Sequence, residues 1–273
     1  MTILAGKTMW VTGASSGIGR AIAEAASSRG ARIILSGRRR DALESVKASL
    51  PGEGLVMPFE ATDYEALEGV VDEAWSVAPV DILVNNAGIS QRSLAEDTKP
   101  EVYRDLIDID LIAPIWLTQL QLPRMIAAGG AHIVAISSIA GRVGAPMRTA
   151  YCAAKHGLIG YMDALRTETE LRHNIRVTNV LPGSVATDVS RNALTADGSR
   201  RGRSDEVIDA GDDPKDCAAA ILKAIEENVP ELIFAKDTER DLAVLRHADP
   251  EGFFNIIAEY GKQTAEALKA EEI

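Results

Sequence analysis

The sequence has little cysteine and no long apolar run, and both absences narrow the classes to which the protein can belong. Its two cysteines, Cys152 and Cys217, are far apart and lie in no C-x-x-C motif, so neither a disulfide framework nor a zinc site is predicted. No apolar run approaches the roughly 20 residues of a membrane span, and no basic region followed by an apolar stretch marks a secretory signal at the N-terminus. We therefore expect a soluble, cytoplasmic protein with no membrane partner and no metal.

Positive charge is also scarce. The sequence holds 29 Lys and Arg residues against 40 Asp and Glu residues, which gives a net formal charge of −11. Such a surface repels phosphate backbones unless basic residues cluster on one face. The two basic clusters, at 38–40 and 200–203, are short. We therefore expect no nucleic acid partner.

The sequence does contain a regular alternation of short apolar runs, rich in β-branched residues, with longer segments of helical periodicity. The predicted strands are 8–12, 31–36, 55–59, 80–85, 132–137, 175–181 and 232–235. The predicted helices are 18–28, 40–49, 63–77, 100–128, 149–172 and 214–227. Several runs are apolar nearly throughout, as in strands covered on both faces. This order predicts an α/β fold in which helices cover both faces of a parallel sheet of about seven strands.

The domain organisation is predicted as one domain over residues 1–236, followed by a helical C-terminal extension over 237–273. A polar stretch rich in Gly, Ser and Arg shows no periodicity and is predicted to be a long functional loop or lid, at about 188–213.

The extension is predicted to contain a helix with Asp249 as N-cap and Pro250 at its first position. Apolar or small residues then recur with helical spacing and form one stripe, namely Phe253, Ile256, Ile257, Tyr260, Thr264, Ala267 and Leu268. This helix either caps its own domain or reaches a neighbouring subunit. We expect a homo-oligomer in which the stripe is buried.

A glycine-rich turn joins the first predicted strand to the first helix, with the sequence Thr12-Gly13-Ala14-Ser15-Ser16-Gly17-Ile18-Gly19. Glycines there allow a tight turn and a close approach to a diphosphate at a helix N-terminus. The pattern alone also fits a simple tight turn. It fits the G-x-S-x-G elbow of serine hydrolases as well, but that elbow normally follows several strands, and the four histidines lie in no supporting motif. The strand–turn–helix context favours a dinucleotide site.

The residues at the end of the second predicted strand indicate which dinucleotide the site binds. A cofactor with a free ribose 2′-hydroxyl would call for Asp or Glu there, about 20 residues after the glycines. The sequence instead has Ser36-Gly37-Arg38-Arg39-Arg40. Arginine suits a 2′-phosphate through charge-assisted hydrogen bonds, so NADP is predicted rather than NAD. The alternative is a solvated basic start to a helix.

Tyr151 and Lys155 stand four residues apart in a predicted helix, which places both on one face. A free tyrosine is a poor base near neutrality, since its pKa is about 10. A cation one turn away favours tyrosinate and makes the phenol usable as a general acid and base. Ser138, thirteen residues before Tyr151, ends the preceding strand and can hydrogen-bond a substrate oxygen.

Together these motifs resemble the short-chain dehydrogenase/reductase family, in its single-domain branch, over roughly residues 5–236. The turn resembles the family's TGxxxGxG, residues 85–88 its NNAG segment, and Pro182 to Thr187 its PGxxxT segment beside the nicotinamide. Ser138, Tyr151 and Lys155 match its catalytic serine, tyrosine and lysine. The resemblance implies a Rossmann-type doubly wound sheet. Motifs and resemblance together give these cofactor-binding residues: Gly13, Ser15, Gly17, Ile18, Gly19, Arg38, Arg39, Glu60, Ala61, Asn86, Ala87, Gly88, Tyr151, Lys155, Pro182, Gly183, Val185 and Thr187.

Asp110 departs from the family pattern, because the resemblance implies a fourth catalytic residue, Asn, at that place. Pro114 has no N–H to donate to the carbonyl of residue 110, so that carbonyl is predicted to be free to hold a water linked to Lys155. The alternative is that Pro114 only kinks the helix. At position 60 the sequence likewise has Glu, where the family usually has an Asp near the adenine.

The resemblance implies an NADP(H)-dependent oxidoreductase that interconverts a secondary alcohol and a ketone, assembled as a homodimer or homotetramer. The alternatives are a non-catalytic NADP-binding regulator on the same fold and an epimerase or dehydratase that retains its NAD. The substrate pocket is expected to be walled by loops at 90–94, 139–148, 184–185 and 190–213.

Overall fold

A single parallel sheet organises the protein, whose computed structural model describes residues 3–271. The seven strands run in the order β3-β2-β1-β4-β5-β6-β7, and every neighbouring pair is parallel. They are β1 (Thr8–Thr12), β2 (Arg32–Ser36), β3 (Gly54–Val56), β4 (Ile82–Asn85), β5 (Ala131–Ile136), β6 (Ile175–Pro182) and β7 (Glu231–Phe234). The predicted doubly wound fold is confirmed.

Helices follow the strands and cover both faces of the sheet. They are α1 (Gly17–Ser27), α2 (Arg40–Ser49), α3 (Tyr64–Val77), α4 (Pro100–Ile107), α5 (Ala113–Ala127), α6 (Thr149–His173), α7 (Glu206–Asp209), α8 (Pro214–Glu226), α9 (Asp237–Ala248) and α10 (Pro250–Glu271). Among residues 3–271, no helix is long and apolar enough to span a membrane.

The alternation of side chains along each strand divides the core into two layers. In β1, Met9 and Val11 join the layer under α1 and α8, whereas Trp10 points to the layer under α3, α5 and α6. All three side chains are fully buried. The Trp10 indole N–H donates to Ser36 Oγ at 2.8 Å, so the one polar atom of that ring is satisfied inside the core.

The sheet reverses its winding direction between β1 and β4. The chain proceeds outwards from β1 to β2 and β3, then returns to β4 on the other side of β1. Ligands of open parallel sheets bind beyond the carboxyl ends of the strands at such a switch point. The turn after β1 and the loop after β4 therefore border the expected ligand cleft.

The helix predicted over 100–128 is interrupted. It consists of α4, a π-helical segment at Asp108–Ile112 and α5. The Ala113 N–H donates to Asp108 O, which is the i to i+5 spacing of a π turn. Pro114 follows at once and has no N–H to donate, so an α-helical ladder cannot continue undisturbed there.

The segment predicted as a lid is mostly irregular and contains the short helix α7. It is tied to the loop after β4 through the pairing of Gln91 with Leu194, where the Arg92 N–H donates to Leu194 O at 2.8 Å. Its function as a lid remains a prediction.

The C-terminal extension forms two helices, of which only the second was predicted. α10 begins as expected, because Asp249 Oδ1 accepts the Gly252 N–H at 3.0 Å. Phe253 is fully buried in a small cluster with Ile139, Val143 and Ala243, so the helix packs on its own domain. Ile256 and Tyr260 of the same stripe are exposed in the single chain. Residues 1–2 and 272–273, at the outer limits of the predicted domain and extension, lie outside the described residues.

The two neighbouring phenylalanines of α10 provide a matched pair for testing how this helix is held. We expect Phe253→Ala to lower the free energy of unfolding by about 3–5 kcal/mol, because it leaves a cavity where a buried ring packed. Phe254, 52% exposed, serves as the control, and its Ala variant should cost less than about 1 kcal/mol. Urea unfolding of both variants measures the difference, and equal losses would contradict the anchoring role of Phe253.

Candidate active site

The glycine turn after β1 lies against the loop after β4. A Cβ on Gly13, whose φ is +64°, would lie 2.9 Å from Ala87 Cα, and one on Gly19 would lie 2.4 Å from Asn86 Nδ2. Both positions therefore require glycine, because the clashing atoms belong to a loop that is itself fixed. Thr12 fixes that loop, since its Oγ1 accepts the N–H groups of Asn86 and Ala87, each at 3.0 Å.

The turn leaves the N-terminus of α1 open. Ser16 is the N-cap of this helix, but its side chain makes no capping hydrogen bond. Unpaired N–H groups at a helix N-terminus, backed by the helix dipole, bind anionic groups such as a diphosphate. Ser15 and Ile18 flank this opening, and a Cβ on Gly17 would meet Thr187 at 3.1 Å. The residues present therefore fit a dinucleotide diphosphate between the turn and the loop after β6.

Two arginines stand beside the turn, at the end of β2. The Arg39 guanidinium donates to Ser15 Oγ at 3.3 Å, and Arg38 lies 3.7 Å from the Glu60 carboxylate. Glu60 is followed by Ala61 in the loop after β3. The Arg39 side chain is thus next to the glycine turn, and Arg38 precedes it in the chain.

Ser138 and Tyr151 come from different elements. Ser138 follows β5; its Oγ donates to Pro182 O at 3.3 Å and accepts the Ala140 N–H at 3.1 Å. Tyr151 lies in the first turn of α6 and packs against a small apolar cluster of Val102, Leu106 and Ala150. The loop after β4 and the predicted lid pack against the same cluster through Ile89 and Leu194.

Lys155 is one turn after Tyr151 and is buried. Its Nζ lies 5.6 Å from the centroid of the Tyr151 ring and donates to Ile136 O at 3.1 Å. The same Nζ is 3.3 Å from Asp110 Oδ2, an ion pair that lacks the alignment of a hydrogen bond. Burial alone would lower the pKa of Lys155, but the Asp110 carboxylate and the Tyr151 side chain together outweigh burial and raise that pKa above its usual value.

Asp110 lies in the π-helical segment, with its side chain fully buried. Its Oδ1 accepts the Ile89 N–H at 2.8 Å, which connects the carboxylate to the loop after β4. Burial raises the pKa of Asp110, and the Lys155 ammonium opposes that shift. The sequence prediction concerned the backbone carbonyl of residue 110; the structure adds a direct role for the carboxylate as the counter-charge of Lys155.

The end of β6 completes the cleft and reveals a residue that sequence reasoning missed. The predicted segment begins at Pro182 and Gly183, and Val185 behind it is buried. Glu239 of α9 reaches this segment, where its carboxylate accepts the Ser184 hydroxyl at 2.7 Å and the Ser184 N–H at 3.2 Å. The signal for α9 was present in its acidic first turn and basic last turn, which suit the helix dipole.

The arrangement can perform proton transfer at an oxygen atom held by Ser138 and Tyr151. A buried cation, Lys155, lies one turn behind the phenol, and the neighbouring glycine turn fits a dinucleotide diphosphate. Among the described residues, no three His, Cys, Asp or Glu side chains come together as a metal site.

Comparisons with known proteins agree with this geometry. The family model for short chain dehydrogenases matches residues 7–198. The bovine dehydrogenase/reductase SDR family member 7B is 39% identical over 259 residues, which are 91% of this chain and 79% of that protein. A metagenomic short-chain oxidoreductase solved in complex with NADP is 30% identical, with a TM-score of 0.70 over 85% of this chain and 97% of that one. A Burkholderia phymatum short-chain dehydrogenase/reductase solved with NAD has a TM-score of 0.83 at 21% identity, over 92% of this chain and 96% of that one, and shows the shared fold.

Proposed function

The chain belongs to the short-chain dehydrogenase/reductase family, an NAD(P)-binding family of oxidoreductases, and we propose that it is an NADP(H)-dependent enzyme that interconverts a secondary alcohol and a ketone. One observation carries the proposal. The buried Lys155, one turn after Tyr151, donates to Ile136 O at the end of β5, two residues before Ser138, and the glycine turn after β1 fits a dinucleotide.

Each polar side chain has a separate task in this proposal. The bound cofactor supplies the hydride chemistry. Ser138 Oγ orients the substrate oxygen, and Tyr151 gives a proton to that oxygen in reduction and takes it back in oxidation. Lys155 would hold the nicotinamide ribose of the bound cofactor and places its positive charge one turn behind the phenol of Tyr151. Asp110 keeps Lys155 protonated in a buried position.

The proposed preference for NADP is supported by Arg38 and Arg39. Arg39 contacts Ser15 of the glycine turn, and Arg38 forms an ion pair with Glu60. These contacts orient the two guanidinium groups and leave other N–H donors of each for a 2′-phosphate. Arginine forms paired, charge-assisted hydrogen bonds with phosphate oxygens.

The role of Tyr151 can be tested by removing its hydroxyl alone. We expect Tyr151→Phe to lower kcat by about 10²–10⁴-fold, the usual contribution of a positioned acid or base, while NADPH still binds. Absorbance at 340 nm with NADPH and a panel of ketones measures turnover, and fluorescence titration measures cofactor binding. Turnover within tenfold of the unmodified protein would contradict the assignment.

Cofactor preference gives a second prediction. We expect NADPH to bind more tightly than NADH, and Arg38→Ala to narrow the difference by about tenfold, because a charge-assisted contact to the 2′-phosphate is lost. Arg40→Ala is the matched control, since Arg40 is close in sequence but pairs with Glu44 at 4.0 Å on α2. Equal dissociation constants for both cofactors in the unmodified protein would refute the preference.

The pair of Asp110 and Lys155 predicts a pH effect. In Asp110→Asn the buried ammonium loses its counter-charge, so the pKa of Lys155 falls. Protonated Lys155 is the working form and exists below that pKa, so the alkaline limb of the pH–rate profile should move to lower pH. Near neutral pH we expect activity within about tenfold of the unmodified enzyme, which is a rise of at most about 1.4 kcal/mol in the activation free energy. An unchanged alkaline limb, or a loss of several orders of magnitude in the folded variant, would contradict this account.

Self-association is the remaining part of the proposal. Ile256 and Tyr260 leave apolar surface exposed along α10 of the single chain, which supports a homodimer or homotetramer that buries it. Light scattering should give a multiple of the chain mass of 29.2 kDa, and the double variant Ile256→Glu/Tyr260→Glu should lower it. A mass of one chain for the unmodified protein would refute the assembly.

A further inference from the structure

Three arginines converge on one carboxylate beside the first turn of α6. Arg92 Nε lies 2.7 Å from Asp205 Oδ2, and Arg148 Nη2 lies 3.8 Å from the same oxygen. Arg201 donates to the other oxygen, Asp205 Oδ1. Three guanidinium groups thus share one carboxylate, and among the described residues no second acidic side chain pairs with them. Two positive charges are left uncompensated.

This surplus charge lies partly out of water. The side chain of Arg92 is 5% exposed and that of Asp205 23% exposed. Burial and the nearby charge of Arg148 lower the pKa of Arg92, which reflects the cost of the crowded cations. The neighbouring arginines and the Ser190 hydroxyl outweigh burial and hold the pKa of Asp205 well below its usual range. Buried charge without a full complement of partners is stabilised by a further anion.

Two of the arginines also have N–H donors that no described residue accepts. Arg92 donates through Nε to Asp205 and through Nη1 to Ser90 Oγ and Gln91 O, while its Nη2 donates to none of the described residues. Arg148 is the N-cap residue of α6, and its guanidinium makes no hydrogen bond within residues 3–271. Guanidinium has five donors in a fixed fork that matches the oxygens of a carboxylate or phosphate.

The free donors of Arg148 and Arg92 lie near Tyr151, the proposed acid and base. Arg148 precedes Tyr151 by three residues, at the start of the same helix. The loop that carries Arg92 is held to α6, because the Ala150 N–H donates to Gln91 Oε1 at 2.9 Å. An ionised Tyr151 raises the pKa of Arg92, so the two groups interact electrostatically.

We propose that Arg148 and Arg92 bind an anionic group, a carboxylate or a phosphate, that the substrate carries at a distance from its reacting carbon. This inference rests on the proposed function, of which it defines the substrate class. Asp205 is a positioning residue here, since it holds the arginines of three segments at one place without satisfying them.

The test compares ketones that share the same reacting carbonyl group and differ in whether they carry an anionic group. One pair is 5-oxohexanoate and its methyl ester; the other is the phosphate monoester of 4-hydroxybutan-2-one and the free alcohol. We expect the anionic member of at least one pair to have a kcat/KM about 10- to 100-fold higher, because charge-assisted hydrogen bonds are gained. Which pair shows the preference distinguishes carboxylate from phosphate.

Variants of similar shape then assign the effect to Arg148. Arg148→Met should reduce the preference for the anionic ketones to about threefold or less, because kcat/KM falls more for the anionic ketones than for the neutral ones, and Arg148→Lys should restore only part of the preference. Arg200→Met removes the same charge from the lid, where Arg200 contacts Asn192, and should keep the full preference. A readout independent of turnover is the additional protection against thermal unfolding that inorganic phosphate or 5-oxohexanoate gives to the protein saturated with NADP⁺, whose own anionic sites are then occupied; Arg148→Met should abolish this additional protection.

The results separate this inference from the proposed function. Equal kcat/KM values within both pairs would overturn the anionic site and leave the reductase standing. Equal loss for neutral and anionic ketones in Arg148→Met would also overturn it, because the arginines would then only hold the lid. Failure to reduce any ketone would count against the proposed function, whereas the thermal measurement would still decide whether the anion binds.

Discussion

The buried ammonium group of Lys155 is the constraint around which the site is organised. A charge withdrawn from water is tolerated only when it is paired and hydrogen-bonded. The partners of Lys155 come from two other elements, the Ile136 carbonyl at the end of β5 and the Asp110 carboxylate of the π-helical segment. These three elements are therefore fixed relative to one another, and Tyr151, one turn before Lys155, takes its position from them.

The same constraint explains why a carboxylate suits position 110. Asp110 Oδ1 accepts the Ile89 N–H, and Oδ2 forms an ion pair with the ammonium of Lys155, so each oxygen faces a donor or a cation. An amide would offer one acceptor oxygen to these two groups and direct its own N–H groups towards one of them. Gly88 allows the approach, because a Cβ there would already be 3.2 Å from Oδ1. The departure from Asn thus places a negative charge, rather than a neutral amide, beside Lys155.

Sequence periodicity predicted the sheet and most helices because buried parallel strands are short, apolar and separated by amphipathic helices. Periodicity did not predict the interruption of the helix over 100–128, because the π segment there depends on a single residue, Pro114, and not on the apolar pattern. It also failed for α9, whose apolar face is weak. The motifs located Ser138, Tyr151 and Lys155, but contacts between distant segments, such as Glu239 with Ser184 or Arg92 with Asp205, have no local signature.

The overall charge of the chain is a poor guide to the charge of its cleft. A net charge of −11 describes the whole surface, yet charges farther apart than the Debye length, about 8 Å at physiological ionic strength, barely influence one another. Two groups of arginines, Arg38 with Arg39 at the glycine turn and Arg92 with Arg148 at the start of α6, border the site from different loops. The first pair is exposed and screened by solvent, so its contribution depends on direct contact with an anion. Arg92 is buried, so its charge is little screened and its interactions with neighbouring groups, including Tyr151, are stronger than those of the exposed pair.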